Sequence, residues 1–269
     1  MMKTINISQI QFEAKSTPFK NAEQLKKLFE KTKKFKPSLI CTPECSNIIT
    51  NDINYLRKNT TFENDCPIIN MAKLYAKENN VNINIGSLLL KIKNQKKLVN
   101  RSYFFNTKGR IAKTYDKIHM FDVNINKKET HRESDTFQAG SNIVLLNIDN
   151  IKIGFTICYD LRFPNLFRKI AKKGAQIILM PAAFTVPSGK AHWEVMLRSR
   201  AIENSLFIVA TDMCGTHHTN RKTYGHSLLV NPWGKIIAKA KTRPKILNTN
   251  INLEEVEHAR NKIPAILND

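Results

Sequence analysis

Glycine is scarce in this chain, nine in 269 residues, and none falls in the Gly-rich spacing that cradles phosphates. No apolar stretch is long enough to span a bilayer. Met1-Met2-Lys3-Thr4 runs straight into a strand pattern and not into a secretory leader. The five cysteines, Cys41, Cys45, Cys66, Cys158 and Cys214, are an odd number without framework spacing. A disulfide scaffold is therefore not expected, and a reducing, cytoplasmic location is. Acidic residues are also short: 22 against 43 Lys and Arg, for a formal net charge of +21.

Such a charge raises nucleic-acid binding as one reading. The lysines, however, are spread along the chain. Their densest run, residues 26–36, shares a helical segment with Ala22, Leu25, Leu28 and Phe29 on its other face, which describes a solvated helix surface. The joint abundance of Lys, Asn and Ile also fits AT-biased coding. No zinc-finger spacing or RNP-like aromatic run accompanies the charge. A basic binding protein without turnover is retained only as the alternative of another class; the expected partners include neither nucleic acid nor membrane.

No low-complexity linker divides the sequence, so residues 1–269 are expected to form a single domain. Strand patterns alternate with helical ones. Residues 5–12, 38–41, 81–90, 98–105 and 111–115 read as strands, and 21–35 and 66–79 as helices. Residues 122–140 read as a long irregular loop. Strands are expected at 143–148, 151–157, 175–180 and 206–211, and helices from Pro164 and at 190–204. Asn231-Pro232-Trp233-Gly234 is a turn between strands at 227–230 and 236–240. Asn252-Leu253-Glu254-Glu255 has the form of a capping box for a final helix. The halves echo one another, one strand–helix–strand unit ending at Pro43-Glu44 and the other at Pro181-Ala182. Two mixed sheets packed together, with helices outside, follow.

Cys158 is the most informative position. Ile151-Lys152-Ile153-Gly154-Phe155-Thr156-Ile157 alternates as a half-buried strand does. Directly after Cys158, Tyr159-Asp160-Leu161-Arg162-Phe163-Pro164 opens a helix that Gly174 ends. A thiol on such a sharp turn is exposed at a sheet edge beside outward-pointing N–H groups. Glu44, in Thr42-Pro43-Glu44-Cys45, lies just past a buried strand, where ligands collect in α/β sheets. Lys117 is set among aromatic and apolar residues in Tyr115-Asp116-Lys117-Ile118-His119-Met120-Phe121-Asp122-Val123, and Glu133 sits in Arg132-Glu133-Ser134-Asp135. A papain-like site would pair the thiol with a histidine; His119 and His217-His218 are candidates by position, without the flanking motif. Cys41 and Cys45 have half of a zinc spacing and no second pair to complete it.

Taken in order, the segments around Glu44, Lys117 and Cys158 resemble the three motifs of the nitrilase superfamily of carbon–nitrogen hydrolases, with Glu133 matching its second glutamate. The resemblance runs from the first strand to the last hairpin. It implies a four-layer α-β-β-α sandwich, no metal and no cofactor, and an assembly of at least a homodimer. It also implies a catalytic triad of Glu44, Lys117 and Cys158 acting on a small-molecule amide substrate through a thioester, with Glu133 orienting Lys117 and the Tyr159 backbone N–H helping to hold the oxyanion. Pro181-Ala182-Ala183-Phe184-Thr185-Val186-Pro187, Ala191-His192-Trp193-Glu194 and Arg198-Ser199-Arg200-Ala201-Ile202-Glu203-Asn204 look like the branch of deaminated-glutathione amidases and ω-amidases. N-carbamoyl amide hydrolysis and nitrilase activity would use the same three residues. Phe184 and Thr185 are expected to line the pocket. Arg162 either receives a substrate carboxylate or forms an ion pair that fixes the Cys158 turn. His226 is expected to be structural or one shell removed. Asn165 and the segment Gln138-Ala139-Gly140-Ser141 depart from the family pattern.

Overall fold

The computed structural model describes residues 4–126, 129–266 and 268. Two sheets face each other. The first has seven strands, with Thr4–Gln11, Leu39–Cys41 and Asn82–Lys91 as a parallel centre, while Leu98–Phe105, Ile111–Asp116 and Lys245–Asn252 pair antiparallel. The second has six, with Ile151–Phe155, Ile177–Ala182 and Phe207–Asp212 parallel at its centre and antiparallel strands outside. Each sheet thus repeats the strand–helix–strand unit seen in the sequence.

The inner faces bury Ile5, Ile7 and Phe104 of the first sheet with Phe155, Leu179 and Val209 of the second in one apolar core. Gln9 also crosses the gap, its Nε2 donating to the Ala210 carbonyl at 2.8 Å, as a buried amide must if it is not to lose its water for nothing. Helices Pro18–Thr32 and Pro67–Asn79 cover the outer face of the first sheet with Leu25, Phe29, Ile69 and Ala72. Pro164–Lys172 and Glu194–Asn204 cover the second with Phe167, Ile170, Leu197 and Ala201. The result is the four-layer α-β-β-α sandwich. Among the described residues, no helix is long and apolar enough to cross a membrane.

Several local expectations change. Residues 122–140 hold a hairpin, Asp122–Asn126 with Glu129–Arg132, then a helical turn, Glu133–Thr136, and a two-residue strand, Phe137–Gln138. The hairpin pairs only with itself and stands off both large sheets, so it lacks the strong apolar alternation that burial imposes. The strand Lys245–Asn252 pairs with Thr4–Gln11 over its whole length, yet its buried positions, Leu247, Thr249 and Ile251, include a polar residue that blurs the pattern. The short helix Ile53–Asn59, N-capped by Asp52, also lacked a marked apolar face. Strand Ile151–Phe155 leaves Lys152 exposed on its outer face, while Gly154 on that face is buried under Ile170 of the neighbouring helix. At the last helix, Glu254–Lys262, the reciprocal bonds join Asn252 to Glu254 and not to Glu255. Glu255 instead receives Asn231 Nδ2 at 2.7 Å, tying the helix to the predicted hairpin turn.

Candidate active site

The cysteine turn is built by backbone geometry. Strand Ile151–Phe155 gives way to a 3-10 turn over Cys158–Arg162, and Cys158 enters it at φ +49°. A residue with a Cβ adopts this left-handed conformation at a cost and holds it where surrounding contacts fix it. Asp160 supplies those contacts. It is fully buried, and its Oδ2 accepts from the Ile157 N–H at 2.8 Å and the Tyr115 hydroxyl at 2.7 Å. Its Oδ1 accepts from the His119 N–H at 3.1 Å and lies 2.6 Å from His119 Nδ1. One carboxylate two residues past Cys158 therefore grips the chain on both sides of Lys117. The His119 ring also stacks on Phe163, with centroids 3.5 Å apart.

Glu44 reaches the same place from the first sheet. Its loop is pinned by the Cys45 N–H donating to Ser87 Oγ at 2.9 Å, the Ser46 N–H donating to the Ser87 carbonyl at 2.9 Å and the Gly86 N–H donating to Thr42 Oγ1 at 3.1 Å. Gly86 is where the two echoing prolines meet: a Cβ there would fall 2.5 Å from both Pro181 Cβ and the Pro43 carbonyl oxygen. Only glycine lets the Glu44 loop press against the second sheet.

The charges then converge. Lys117 Nζ donates to Glu44 Oε1 at 2.9 Å and to Glu133 Oε1 and Oε2 at 3.0 and 2.9 Å. The side chains of Lys117 and Glu44 are only 2% and 5% exposed. Glu133 Oε2 also accepts from the Phe121 N–H at 2.6 Å. Asn100 Nδ2 donates to Glu44 Oε1 at 2.9 Å, while the Asn100 carbonyl accepts the Lys117 N–H at 3.0 Å. Cys158 lines the same cavity as this ion pair, near enough to the Glu44 carboxylate and the Ala183 N–H for each to act on its thiol.

Electrostatics follow from this packing. Burial alone would push Glu44 up, but the Lys117 charge and hydrogen bonds from Cys158, Lys117 and Asn100 hold it below the usual glutamate value. Burial likewise opposes the Lys117 charge; the Glu133 and Glu44 carboxylates outweigh it and keep the ammonium well above the ordinary lysine range. Burial pushes the Cys158 thiol well up, the Glu44 carboxylate adds to this, and Lys117 and the Ala183 N–H only partly oppose it. The resting pair is thus a neutral thiol beside an ionised carboxylate. Such an arrangement can remove the thiol proton as the sulfur attacks, without storing a thiolate beforehand.

Glu44, Lys117, Glu133 and Cys158 all line one cavity of about 880 Å³. Tyr159 lines it too, and lies in the first turn of the 3-10 segment, where N–H groups lack helical partners. Phe184 and Thr185 form part of the wall. Phe184 packs on Trp193 with centroids 4.7 Å apart, and Thr185 Oγ1 lies 2.8 Å from Ser188 Oγ. Arg162 lines the cavity without a carboxylate partner among the described residues. Its guanidinium lies against His192 Nδ1 at 3.2 Å, Met196 Sδ at 3.9 Å and the Tyr159 ring, so the expected ion pair is not what fixes the turn. His226 lies outside the cavity lining, at φ +58°, stacked on Tyr224. Cys41 is buried within its strand. Among the described residues no three His, Cys, Asp or Glu side chains cluster as metal ligands.

Asn100 and Asp160 were not singled out from the sequence. Asn100 carried one faint signal, an amide between the apolar pair Leu98-Val99 and the rest of a buried strand. Asp160 carried none apart from its nearness to Cys158, since its partners beyond its own turn are 41 and 45 residues distant.

Comparison with known proteins agrees with this geometry. The carbon-nitrogen hydrolase family model matches residues 5–261. Deaminated glutathione amidase of Yersinia enterocolitica is 38% identical over 232 residues, covering 85% of this chain and 80% of that protein. The crystal structure of the Caenorhabditis elegans NitFhit protein superposes with a TM-score of 0.93 at 30% identity, over 99% of this chain and 65% of that one. Saccharomyces cerevisiae Nit3, a member of branch 10 of the nitrilase superfamily, superposes with a TM-score of 0.87 at 26% identity, over 97% of this chain and 95% of that one. With its Glu44, Lys117 and Cys158 segments gathered in one cavity and the family match running nearly end to end, this chain belongs to the carbon–nitrogen hydrolase family and is a hydrolase of carbon–nitrogen bonds.

Proposed function

We propose that this single-domain chain hydrolyses the amide of a small carboxylate-bearing acid, of the deaminated-glutathione or ω-amide type, through a thioester on Cys158. The observation that carries this reading is the buried Glu44–Lys117 ion pair and the Cys158 thiol lining one cavity. Glu44 takes the thiol proton as the sulfur attacks the amide carbon. Charge moves onto the carbonyl oxygen, where the Lys117 ammonium and the Tyr159 N–H receive it. The C–N bond breaks as Glu44 returns the proton to the leaving nitrogen. Water then gives a proton to Glu44 and attacks the thioester; the acid departs and the thiol is restored. Glu133 holds Lys117 beside Glu44 throughout. Arg162 receives a substrate carboxylate, and Phe184 and Thr185 close the wall beside it. The relative named for deaminated glutathione supports that class of acid.

A panel of ω-amides and deaminated peptides tests this by ammonia or amine release. Release from the carboxylate-bearing amides is expected, with an acyl adduct on Cys158 in the mass spectrum of the trapped enzyme. Release only from neutral amides, or an adduct on another residue, would sink the proposal.

A homodimer is part of the same reading. Val195 and Ile202 on the outer side of the helix Glu194–Asn204 are exposed, and so is Trp233, whose turn abuts Ile202 at Gly234. An apolar surface of this kind supports a protein contact. Light scattering should give twice the 30.9 kDa chain mass; the mass of one chain would remove the dimer.

A further inference from the structure

One fully buried carboxyl group takes no part in the charge network around Lys117. Asp212 ends the strand Phe207–Asp212. Its Oδ1 accepts the Phe184 N–H at 3.0 Å, while its Oδ2 has no hydrogen-bond partner among the described residues. The N–H groups of Met213 and Gly225 also act on the carboxyl, but they donate to the Ala182 and Met213 carbonyls at 2.9 and 3.0 Å. The titratable groups that feel its charge are Glu44, from the loop past Leu39–Cys41, and Cys214, two residues on. Neither is a cation. An ionised carboxylate so poorly matched and cut off from water is costly, and such a group keeps its proton instead. Burial pushes the Asp212 carboxyl well above the ordinary aspartate value; the Phe184 N–H opposes this and the Glu44 charge adds to it.

The one donor that Oδ1 accepts lies next to the thiol's surroundings. Asp212 is the partner of Ala182 in the parallel pairing of their strands, so it meets the chain where Ile177–Ala182 runs out into the cavity wall. The peptide that carries the Ala183 N–H is fixed at its carbonyl end by the Met213 N–H. The next peptide is fixed at its N–H end by Asp212, and the one after it at its carbonyl end by the Tyr224 N–H at 2.9 Å. Between these ties the Ala183 N–H acts on the Cys158 thiol, and Phe184 forms part of the wall. Asp212 is itself anchored, its N–H donating to Ser227 Oγ at 2.9 Å.

We propose that Asp212 is a positioning residue that works as an uncharged carboxylic acid, holding the Ala183–Phe184 turn so that the Ala183 N–H serves the attacking sulfur. This rests on Cys158 being the nucleophile. As Glu44 takes the thiol proton and the S–C bond forms, negative charge passes through the sulfur, and an N–H already fixed beside it stabilises that charge without reorganising. An ionised Asp212 would hold the Phe184 N–H as well, but it would bring a second negative charge towards the sulfur and the oxyanion and disfavour both. The neutral acid supplies the acceptor without that field.

Asp212→Asn keeps an acceptor and no charge; Asp212→Ala removes the acceptor. On any amide that the parent cleaves, Asp212→Asn should keep kcat within about threefold of the parent and leave the acid limb of kcat/KM where it was. Asp212→Ala should lose about tenfold or more in kcat, with KM changed by less than about twofold, because the donor it misaligns matters mainly in the transition state. Where Asp212→Ala is too unstable to assay, Asp212→Leu fills the site without an acceptor and takes its place. Thermal melts give a readout that needs no substrate. A carboxyl raised in the folded state favours folding most below its ordinary value and loses that contribution as pH rises towards the folded one. Asp212→Asn has no such loss, so its melting temperature relative to the parent should climb between about pH 4 and pH 7. A relative melting temperature that falls over that range, an acid limb displaced in Asp212→Asn, a kcat in Asp212→Asn as low as in Asp212→Ala, or a parental kcat in the variant without the acceptor overturns the assignment and leaves Cys158 as the nucleophile. Parental turnover in Cys158→Ala would instead remove the nucleophile, and the positioning role with it, whatever the melts give.

Discussion

Cys158→Ala should lose at least about 10⁴-fold in turnover, in the range seen when a covalent nucleophile is removed, while its melting temperature moves by only a few degrees. The two halves of this expectation have separate causes. In the proposed reaction the sulfur supplies the thioester, and alanine has no nucleophilic atom to replace it. Stability is another matter. Cys158 occupies a left-handed position at φ +49°, where the steric cost arises from the Cβ, and alanine keeps that atom. The Asp160 contacts that hold the turn do not involve the sulfur. Glu44, deprived of the thiol, still accepts from Lys117 and Asn100 at 2.9 Å each. A net change of about 1 kcal/mol or less is expected for a small buried thiol. Ammonia release and a thermal melt on the same preparation check both parts. Turnover near the parental rate would remove Cys158 from the mechanism.

Lys117→Met should have the larger effect on stability and a comparable one on rate. The substitution leaves Glu44 and Glu133, both bonded to one ammonium, facing each other without it. Breaking a buried pair by removing one partner typically costs about 3–5 kcal/mol. The rate suffers twice. An oxyanion donor disappears, worth about 10²–10³, and burial, no longer opposed by the lysine, favours the protonated form of Glu44, which cannot act as base.

The pH profile separates these effects. Glu44 is lowered in the folded protein, so its contribution to stability is complete above the ordinary carboxylate pKa and is lost as pH falls through the lowered folded value. Lys117 is raised, so its contribution is complete below the ordinary lysine pKa and is lost as pH rises through the raised one. Between those limits the contributions of these two groups are constant. The acid limb of kcat/KM should lie below the usual glutamate range and move upward in Lys117→Met. Guanidinium denaturation and the pH–rate profile measure these. A variant as stable as its parent, with the acid limb unmoved, would sink the ion-pair account.

Much of this site could be read along the chain because each of its chemical residues lies next to a strong local signal. Cys158 follows a strand and precedes a Pro-started helix; Glu44 follows a short apolar strand; Lys117 follows the strand Ile111–Asp116. Glu133 had little signal of its own, since the hairpin before it is not buried against a sheet and shows weak alternation. Asn100 and Asp160 show the other limit. An amide in a strand and an aspartate in a turn look alike whether they face solvent or a buried ion pair. Their importance lies in partners 33 to 56 residues away.

The sequence by itself determined the alternation of strands and helices, the doubling of the strand–helix–strand unit and the residue types needed for nucleophile, base and oxyanion support. These depend on period, turn chemistry and motif order, all of which are local. Tertiary structure alone decided which groups share charge and which stay uncompensated: that one ammonium bridges two carboxylates, that one buried aspartate locks the lysine loop to the cysteine turn, and that Arg162 lines the cavity without an acidic partner among the described residues. The reason is physical. Ion pairing, desolvation and cavity shape depend on distances through space, and the closing of two sheets on each other sets those distances among residues far apart in the chain.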